Sequence, residues 1–284
     1  MAIERREFLI NTLKISGAMA VAPAALSLAS CSSNKKATNA KNYALLRVSS
    51  DIYQSQKEQR LAFAIFDSNR KAVKDLQAIN ATLISPDNKE TIYKNIKIRD
   101  KGIKGKGIFS FYPKLNSAGN WTLKVQHKNE DLELSFNVNE KNTAPKLNDQ
   151  SPLTDTPTDT NPLDAKVLCT RSQGNCGLHQ NNLRDLLQSK KPFAILFATP
   201  ARCQTSYCGP VLELTREVAK EHSIPVIHNE IYKDETTNDV IDSVAFWNLP
   251  SEPWLFGIDA DGKIVARIDG AFDKSEIEDL FKLL

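Results

Sequence analysis

Two cysteines, Cys203 and Cys208, lie on a predicted turn between an apolar run and a helical pattern. The run at 192–198 has the length and composition of a buried strand. Residues 209–222 repeat apolar side chains at helical spacing, with Pro210 in the first turn, where proline is accepted. The sequence therefore predicts both cysteines at the N-terminus of a helix. Backbone N–H groups and the helix dipole stabilise a thiolate there, and both thiol–disulfide exchange and soft-metal binding need a thiolate.

The first 31 residues are interpreted as an export signal and not as part of the fold. Arg5-Arg6 lies in a pattern that resembles a twin-arginine signal, and the weakly apolar stretch at 15–28 is shorter than the about 20 strongly apolar residues of a spanning helix. The stretch ends in Leu28-Ala29-Ser30-Cys31, which resembles a bacterial lipobox, in which the cysteine is acylated. We expect a protein held to the extracytoplasmic face of a cell membrane by a lipid on Cys31. An ordinary cleavable signal is the alternative.

The remaining cysteines form two close pairs in the C-terminal half. The chain has five cysteines, and with Cys31 assigned to the lipid, Cys169, Cys176, Cys203 and Cys208 remain. An exported compartment permits disulfides, and four cysteines allow three pairings. We favour Cys169–Cys176 and Cys203–Cys208 because each pair closes a short loop. Cys169–Cys176 is interpreted as a structural disulfide, with a second redox pair as the alternative.

Composition divides the mature chain into two predicted domains. Residues 139–164 have no apolar periodicity and many Pro, Thr, Asp and Asn residues, so they are predicted to form an extended, flexible linker. Residues 41–138 contain short alternating runs separated by turn signals, which predict an all-β domain, a β-sandwich. Its sequence around Trp121 resembles immunoglobulin-like domains of bacterial exported proteins. The seven predicted strands are 43–48, 60–67, 79–84, 91–98, 108–112, 120–126 and 132–138.

Residues 165–284 alternate predicted strands and helices and end in a hairpin and a helix. The stretch at 253–264 resembles the cis-proline strand and following hairpin of membrane-tethered, TlpA-like thioredoxins. This resemblance covers residues 165–284 and implies a C-terminal α/β thioredoxin-like domain. Together with the N-terminal all-β immunoglobulin-like sandwich, it gives the predicted two-domain fold. In that family the cis-proline faces the redox cysteines. The match assigns this position to Pro253, which Glu252 precedes.

The cysteine motif departs from the family, because thioredoxins carry Cys-x2-Cys and this chain carries Cys-x4-Cys. Two alignments stay open. In the first, Cys203 is the nucleophile and Cys208 resolves the mixed disulfide. In the second, Cys208 takes the position of the family's first cysteine, and Cys203 resolves the mixed disulfide from the preceding loop. Glu252 either transfers a proton during exchange or is an exposed loop carboxylate. The predicted catalytic set is Cys203, Cys208, Pro253 and Glu252.

The resulting functional hypothesis is a thiol–disulfide oxidoreductase that acts on exported protein thiols or disulfides and needs no cofactor beyond its own disulfide. One alternative is a copper-handling protein similar to SCO-type chaperones, with Cys203, Cys208 and His228 as ligands, since thiolate and imidazole suit copper. Another is a non-catalytic surface binding module with structural disulfides. A net charge of +3 is too small to indicate a nucleic-acid partner, and none is expected outside the membrane.

Overall fold

The computed structural model describes residues 42–203 and 207–284. The predicted export signal and Cys31 lie outside these residues. Within the described ranges, none of the helices combines the length and the apolar character that crossing a membrane requires.

The N-terminal half forms one seven-stranded sheet in which every neighbouring pair is antiparallel. The strand order is β1-β2-β5-β4-β3-β6-β7, and the edge strands β1 and β7 contact each other, so the sheet nearly closes into a barrel. Aromatic and aliphatic side chains such as Phe63, Phe109 and Leu123 fill its interior. All seven predicted strands are confirmed: β1 (Tyr43–Arg47), β2 (Leu61–Asp67), β3 (Ala78–Ile84), β4 (Glu90–Arg99), β5 (Ile108–Phe111), β6 (Gly119–His127) and β7 (Glu130–Val138).

The C-terminal half contains a four-stranded sheet of order β11-β10-β8-β9. β8 and β10 are buried at every residue and occupy its centre, and β8–β9 is the parallel pair of the sheet. Its strands are β8 (Phe193–Phe197), β9 (Val226–Asn229), β10 (Trp254–Ile258) and β11 (Ile264–Asp269). The α-helices of the described residues are α1 (Leu183–Ser189), α2 (Cys208–His222), α3 (Asp242–Trp247) and α4 (Lys274–Phe281).

The predicted fold class is wrong. The described part of the chain is mostly β, its helices are few, and only α2, with 15 residues, is longer than the eight residues of α4. Residues 166–169, predicted as the first strand of a thioredoxin-like domain, form no strand in the described structure. The two halves also share a core, because Ala64 and Ile108 belong to the same apolar cluster as Leu214 and Phe272. The structure therefore gives no convincing α/β thioredoxin domain that folds apart from the β region.

The segment 139–164 also differs from the predicted flexible linker. Its backbone pairs with the edge of the β10–β11 hairpin, where the Asn148 N–H donates to the Ile264 carbonyl at 2.9 Å and the Ser151 N–H donates to the Gly262 carbonyl at 2.8 Å. Thr156 is fully buried and its hydroxyl accepts from the Leu183 N–H at the start of α1. Although its composition is polar, the segment packs against the fold, because neighbouring strands and turns form hydrogen bonds with its backbone groups.

A buried ion pair connects the two halves. Arg60 and Glu276 are 7% and 4% exposed, and the Arg60 Nε lies 2.8 Å from a Glu276 carboxylate oxygen. The same guanidinium donates to the backbone carbonyls of Asp269, at 2.8 Å, and Ala271, at 2.6 Å. Burial disfavours the Glu276 carboxylate, but the Arg60 charge and hydrogen bonds from Arg60 and Ser110 hold its pKa below the usual value. Arg60, from the N-terminal half, thus contacts both the end of β11 and the start of α4 in the C-terminal half.

Replacing Arg60 by methionine should lower the free energy of unfolding by about 3–5 kcal/mol, because the variant leaves a buried carboxylate without its partner. Urea denaturation followed by tryptophan fluorescence measures the loss. The matched control is Lys124→Met, which removes the exposed pair with Glu133 and should cost less than about 1 kcal/mol. Equal, small losses in both variants would show that Arg60 does not hold the two halves together.

Candidate active site and a second cysteine cluster

Cys203 and Cys208 form a disulfide, with their α carbons 5.8 Å apart. The short 3₁₀ helix Pro200–Arg202 leads from β8 to Cys203, and Cys208 is the first residue of α2. Cys203 is partly exposed, whereas Cys208 is fully buried. The backbone N–H of Cys208 donates to the Cys203 sulfur at 3.2 Å. The accessible sulfur therefore lies at the N-terminus of α2, where a thiolate is electrostatically favoured.

Glu252 is bound to the segment that leads to this disulfide. The peptide bond between Glu252 and Pro253 is cis. The Thr199 N–H, located between β8 and the 3₁₀ helix, donates to a Glu252 carboxylate oxygen at 2.5 Å. Burial raises the pKa of Glu252 to about 8, and the nearby negative charge of Glu230 adds to this shift against the opposing hydrogen bond from Thr199. Glu252 is therefore a carboxyl group that binds and releases a proton near neutral pH.

Two neighbours of the cysteines have partners that the sequence did not indicate. The Arg202 guanidinium stacks on the Tyr232 ring at 4.1 Å and donates to the side-chain oxygen of Asn238 at 2.5 Å. Tyr207 is buried, its pKa is raised by burial to about 12, and the Lys106 Nζ lies 4.3 Å from the centre of its ring. The loop that carries Lys106 comes from the N-terminal sheet, so that half contributes to the surroundings of the disulfide.

A second cluster contains Cys169, Cys176, His179 and His228. One sulfur or ring nitrogen from each residue lies within 4.8 Å of the others. The Cys176 sulfur is 3.2 Å from the His179 Nε2 and 3.3 Å from the His228 Nδ1. The hydrogen bond between the two thiols lowers the pKa of Cys169 and raises that of Cys176. The predicted Cys169–Cys176 disulfide is absent in the described structure, where both residues are free thiols and the Cys176 sulfur contacts imidazole nitrogens.

The sequence interpretation missed His179 and assigned His228 to other partners. His179 lies before α1, which begins at Leu183. The sequence Cys176-Gly177-Leu178-His179 could have identified His179, because paired metal ligands often have two residues between them. The copper hypothesis joined His228 to Cys203 and Cys208. In the structure the His228 ring contacts Cys176, and the other two sulfurs are bonded to each other.

Comparisons with known proteins identify no family. No protein-family model and no curated protein matches the chain. The Lin-41 filamin domain is similar at 16% identity, with 36% of this chain and 95% of that chain covered and a TM-score of 0.24. The PKD domain of human SorCS2 is 8% identical, with coverages of 46% and 99% and a TM-score of 0.23. E. coli alpha-2-macroglobulin is 16% identical, with coverages of 42% and 7% and a TM-score of 0.25.

These similarities are too weak to carry an argument about function. Because their TM-scores are all 0.25 or lower, they carry no argument about the fold of either half. The function must therefore be argued from the chemistry of the two cysteine sites.

Glu252 should make stability depend on pH. Its folded-state pKa of about 8 lies above the ordinary value of 4.5, so the folded state binds this proton more tightly than the unfolded state does. The stability from this group is fully present below pH 4.5 and is lost as the pH rises through 8. Glu252→Gln keeps the size and an oxygen for the Thr199 N–H, and should remove this component of the pH dependence.

The measurement is the free energy of unfolding of the oxidised protein at a series of pH values, for the wild type and for Glu252→Gln. Glu133→Gln, at an exposed position on β7, is the matched control and should leave the profile unchanged. Parallel wild-type and Glu252→Gln profiles across this range would contradict the raised pKa.

Proposed function

We propose that this protein is a thiol–disulfide oxidoreductase that acts on exported protein thiols or disulfides, held at the outer face of a cell membrane by a lipid on Cys31. The observation that carries the proposal is the Cys203–Cys208 disulfide at the N-terminus of α2, with one sulfur accessible and the other buried. A structural staple needs no such asymmetry. An exchange site needs one sulfur that a second protein can reach and one that only its partner cysteine can reach.

Cys203 is the attacking residue in this proposal. It is partly exposed, and in the reduced protein the Cys208 N–H that now contacts its sulfur would donate to a thiolate. A hydrogen bond to the charged form and the positive end of α2 both favour the thiolate over the thiol. Cys208 has no exposed surface, so it resolves the intermediate from inside the protein. The proposal thus adopts the first of the two alignments that the sequence left open.

The exchange proceeds in two steps. The Cys203 thiolate attacks one sulfur of a client disulfide, the client S–S bond breaks, and the client's other sulfur leaves as a thiolate. Cys208 then loses its proton and attacks the Cys203 sulfur, which releases the client's remaining sulfur and closes the Cys203–Cys208 disulfide. Two electrons pass from the cysteine pair to the client. The same steps in reverse oxidise a client dithiol.

Glu252 is assigned the proton that Cys208 releases. Because burial raises its pKa to about 8, Glu252 is a better proton acceptor than an ordinary carboxylate. Its hydrogen bond from the Thr199 N–H fixes the carboxylate to the segment that ends at Cys203. In this role Glu252 acts on the resolving step.

A trapping experiment tests the order of the two cysteines. Reduced Cys208→Ser protein exposed to glutathione disulfide should accumulate a mixed disulfide between Cys203 and glutathione, because no resolving thiol remains to release it. Intact-mass measurement detects the adduct, and peptide mapping locates it. The wild type should pass through this species and return to the Cys203–Cys208 disulfide.

Two further variants make the outcome specific. Cys203→Ser should trap no glutathione at Cys208, because that sulfur is buried. Cys169→Ser, a serine substitution at a cysteine outside the disulfide, should behave as the wild type at Cys203 and Cys208. Trapping at Cys208 and not at Cys203 would reverse the roles. A folded protein in which neither cysteine reacts would show that the disulfide is structural and would favour a binding module.

A further inference from the structure

We propose that Cys169, Cys176, His179 and His228 form a zinc-binding site, separate from the disulfide and independent of the proposed exchange activity. One donor atom from each residue lies within 4.8 Å of the others, in the part of the chain that the structure describes. Two thiolates and two imidazoles are the ligand set of closed tetrahedral zinc sites.

The distances at Cys176 fit such a site. Zinc–sulfur bonds of about 2.3 Å and zinc–nitrogen bonds of about 2.05 Å in a tetrahedron place sulfur and nitrogen about 3.6 Å apart. The Cys176 sulfur lies 3.2 Å from the His179 Nε2 and 3.3 Å from the His228 Nδ1. Cys176, His179 and His228 are all at least 97% buried, so these donor atoms converge in the interior with little access to water. Buried polar atoms that converge in this way must either bind a common ligand or form hydrogen bonds with one another.

The orientation of His228 presents a lone pair to the cluster. Its Nε2 lies 2.9 Å from the Ala198 carbonyl oxygen, which can only accept, so the Nε2 carries the hydrogen and donates it. In the neutral ring, the form that binds a metal, the Nδ1 is then unprotonated and lies 3.3 Å from the Cys176 sulfur. Histidines that bind a metal commonly fix their tautomer in this way, through a backbone carbonyl on the other ring nitrogen.

Hydrogen bonds from three parts of the fold position the loop that carries Cys176 and His179. The Arg216 side chain on α2 donates to the Cys176 carbonyl at 2.7 Å, and the His228 N–H on β9 donates to the Leu178 carbonyl at 2.9 Å. The Asp159 N–H donates to the His179 carbonyl at 2.9 Å. Three ligands are thereby positioned before any ion binds, which lowers the entropic cost of forming the site.

Cys169 completes the set from the rim. Its neighbour Thr170 donates its N–H and its hydroxyl to the buried Glu230 carboxylate, at 2.7 and 3.1 Å. The Thr170 hydroxyl also accepts from the Ala201 N–H at 3.1 Å, in the 3₁₀ helix before Cys203. Cys169 is only partly buried, so an ion has an approach from solvent through this residue.

The test measures metal binding directly in the full chain, purified with reductant and without chelator. We expect one zinc ion per chain by elemental analysis. Replacement by Co²⁺ should give the strong visible bands of a tetrahedral complex and a thiolate charge-transfer band. Cys169→Ser and His179→Ala should each weaken zinc binding at least about 100-fold, since even the loss of an outer partner costs 10–100-fold. Chelation should lower the melting temperature of the wild type.

Two control variants separate this proposal from the exchange activity. His222→Ala, at a histidine on α2 that contacts Phe281, should bind zinc as the wild type does. The double variant Cys203→Ser, Cys208→Ser should lose glutathione trapping and keep zinc. Because Cys169 lies at the rim, its serine variant tests the site even where a buried substitution prevents folding.

Four results would overturn the proposal. The first is a folded, reduced chain that takes up no stoichiometric zinc, and the second is bound zinc that Cys169→Ser and His179→Ala leave unchanged. The third is copper, and not zinc, on these four residues in the protein as isolated. The fourth is a disulfide between Cys169 and Cys176 in the protein as isolated, found by mass mapping.

Discussion

The buried guanidinium of Arg60 is the constraint on which the arrangement of the two sheets depends. Burial of this charge is tolerated because Glu276 neutralises it and the backbone carbonyls of Asp269 and Ala271 each accept a hydrogen bond from it. These contacts also fix the position of β2 relative to β11 and α4, since a small shift would leave buried donors of Arg60 without acceptors. Beside it Gly270 has a φ of +68°, and a Cβ there would lie 1.5 Å from the Val48 carbonyl oxygen. The two halves therefore meet backbone to backbone at this point.

This contact extends to the disulfide through a short series of hydrogen bonds. The Gly270 N–H donates to the Pro253 carbonyl at 2.9 Å, and Glu252, before Pro253, binds the Thr199 N–H. From Thr199 the 3₁₀ helix leads directly to Cys203. On the other side, Lys106 of the N-terminal half lies over the Tyr207 ring. The β region is thus part of the framework of the candidate site.

The sequence predicted local structure well and long-range structure poorly. Alternating apolar residues identified all seven N-terminal strands, because the period of two depends only on neighbouring residues. The same patterns could not show that Ala64 and Phe272 share a core or that Arg60 reaches Glu276, since such contacts have no local signature. The fold-class error arose here. Strand–helix alternation and a family resemblance over a short stretch were extended to a complete separate domain.

The two cysteine sites show the same difference between local and long-range prediction. Cys203 and Cys208 were identified from the strand, turn and helix around them, all of which lie within about 30 residues. The second cluster was misread because its members come from distant parts of the chain. Loop length alone suggested a Cys169–Cys176 disulfide, whereas His228, 52 residues from Cys176 and on β9, provides the competing partner for the Cys176 sulfur. Sequence spacing could indicate Cys176 and His179 but not the strand that completes the set.

Both proposals require the two cysteine pairs to differ in chemistry within one folded protein. This is measured by equilibrating the full chain in graded glutathione redox buffers, with differential alkylation and mass mapping of each cysteine while tryptophan fluorescence reports the fold. We expect Cys203–Cys208 to open and close reversibly in the folded protein, while Cys169 and Cys176 are never found linked. Two disulfides that both resist reduction until the protein unfolds would contradict this expectation.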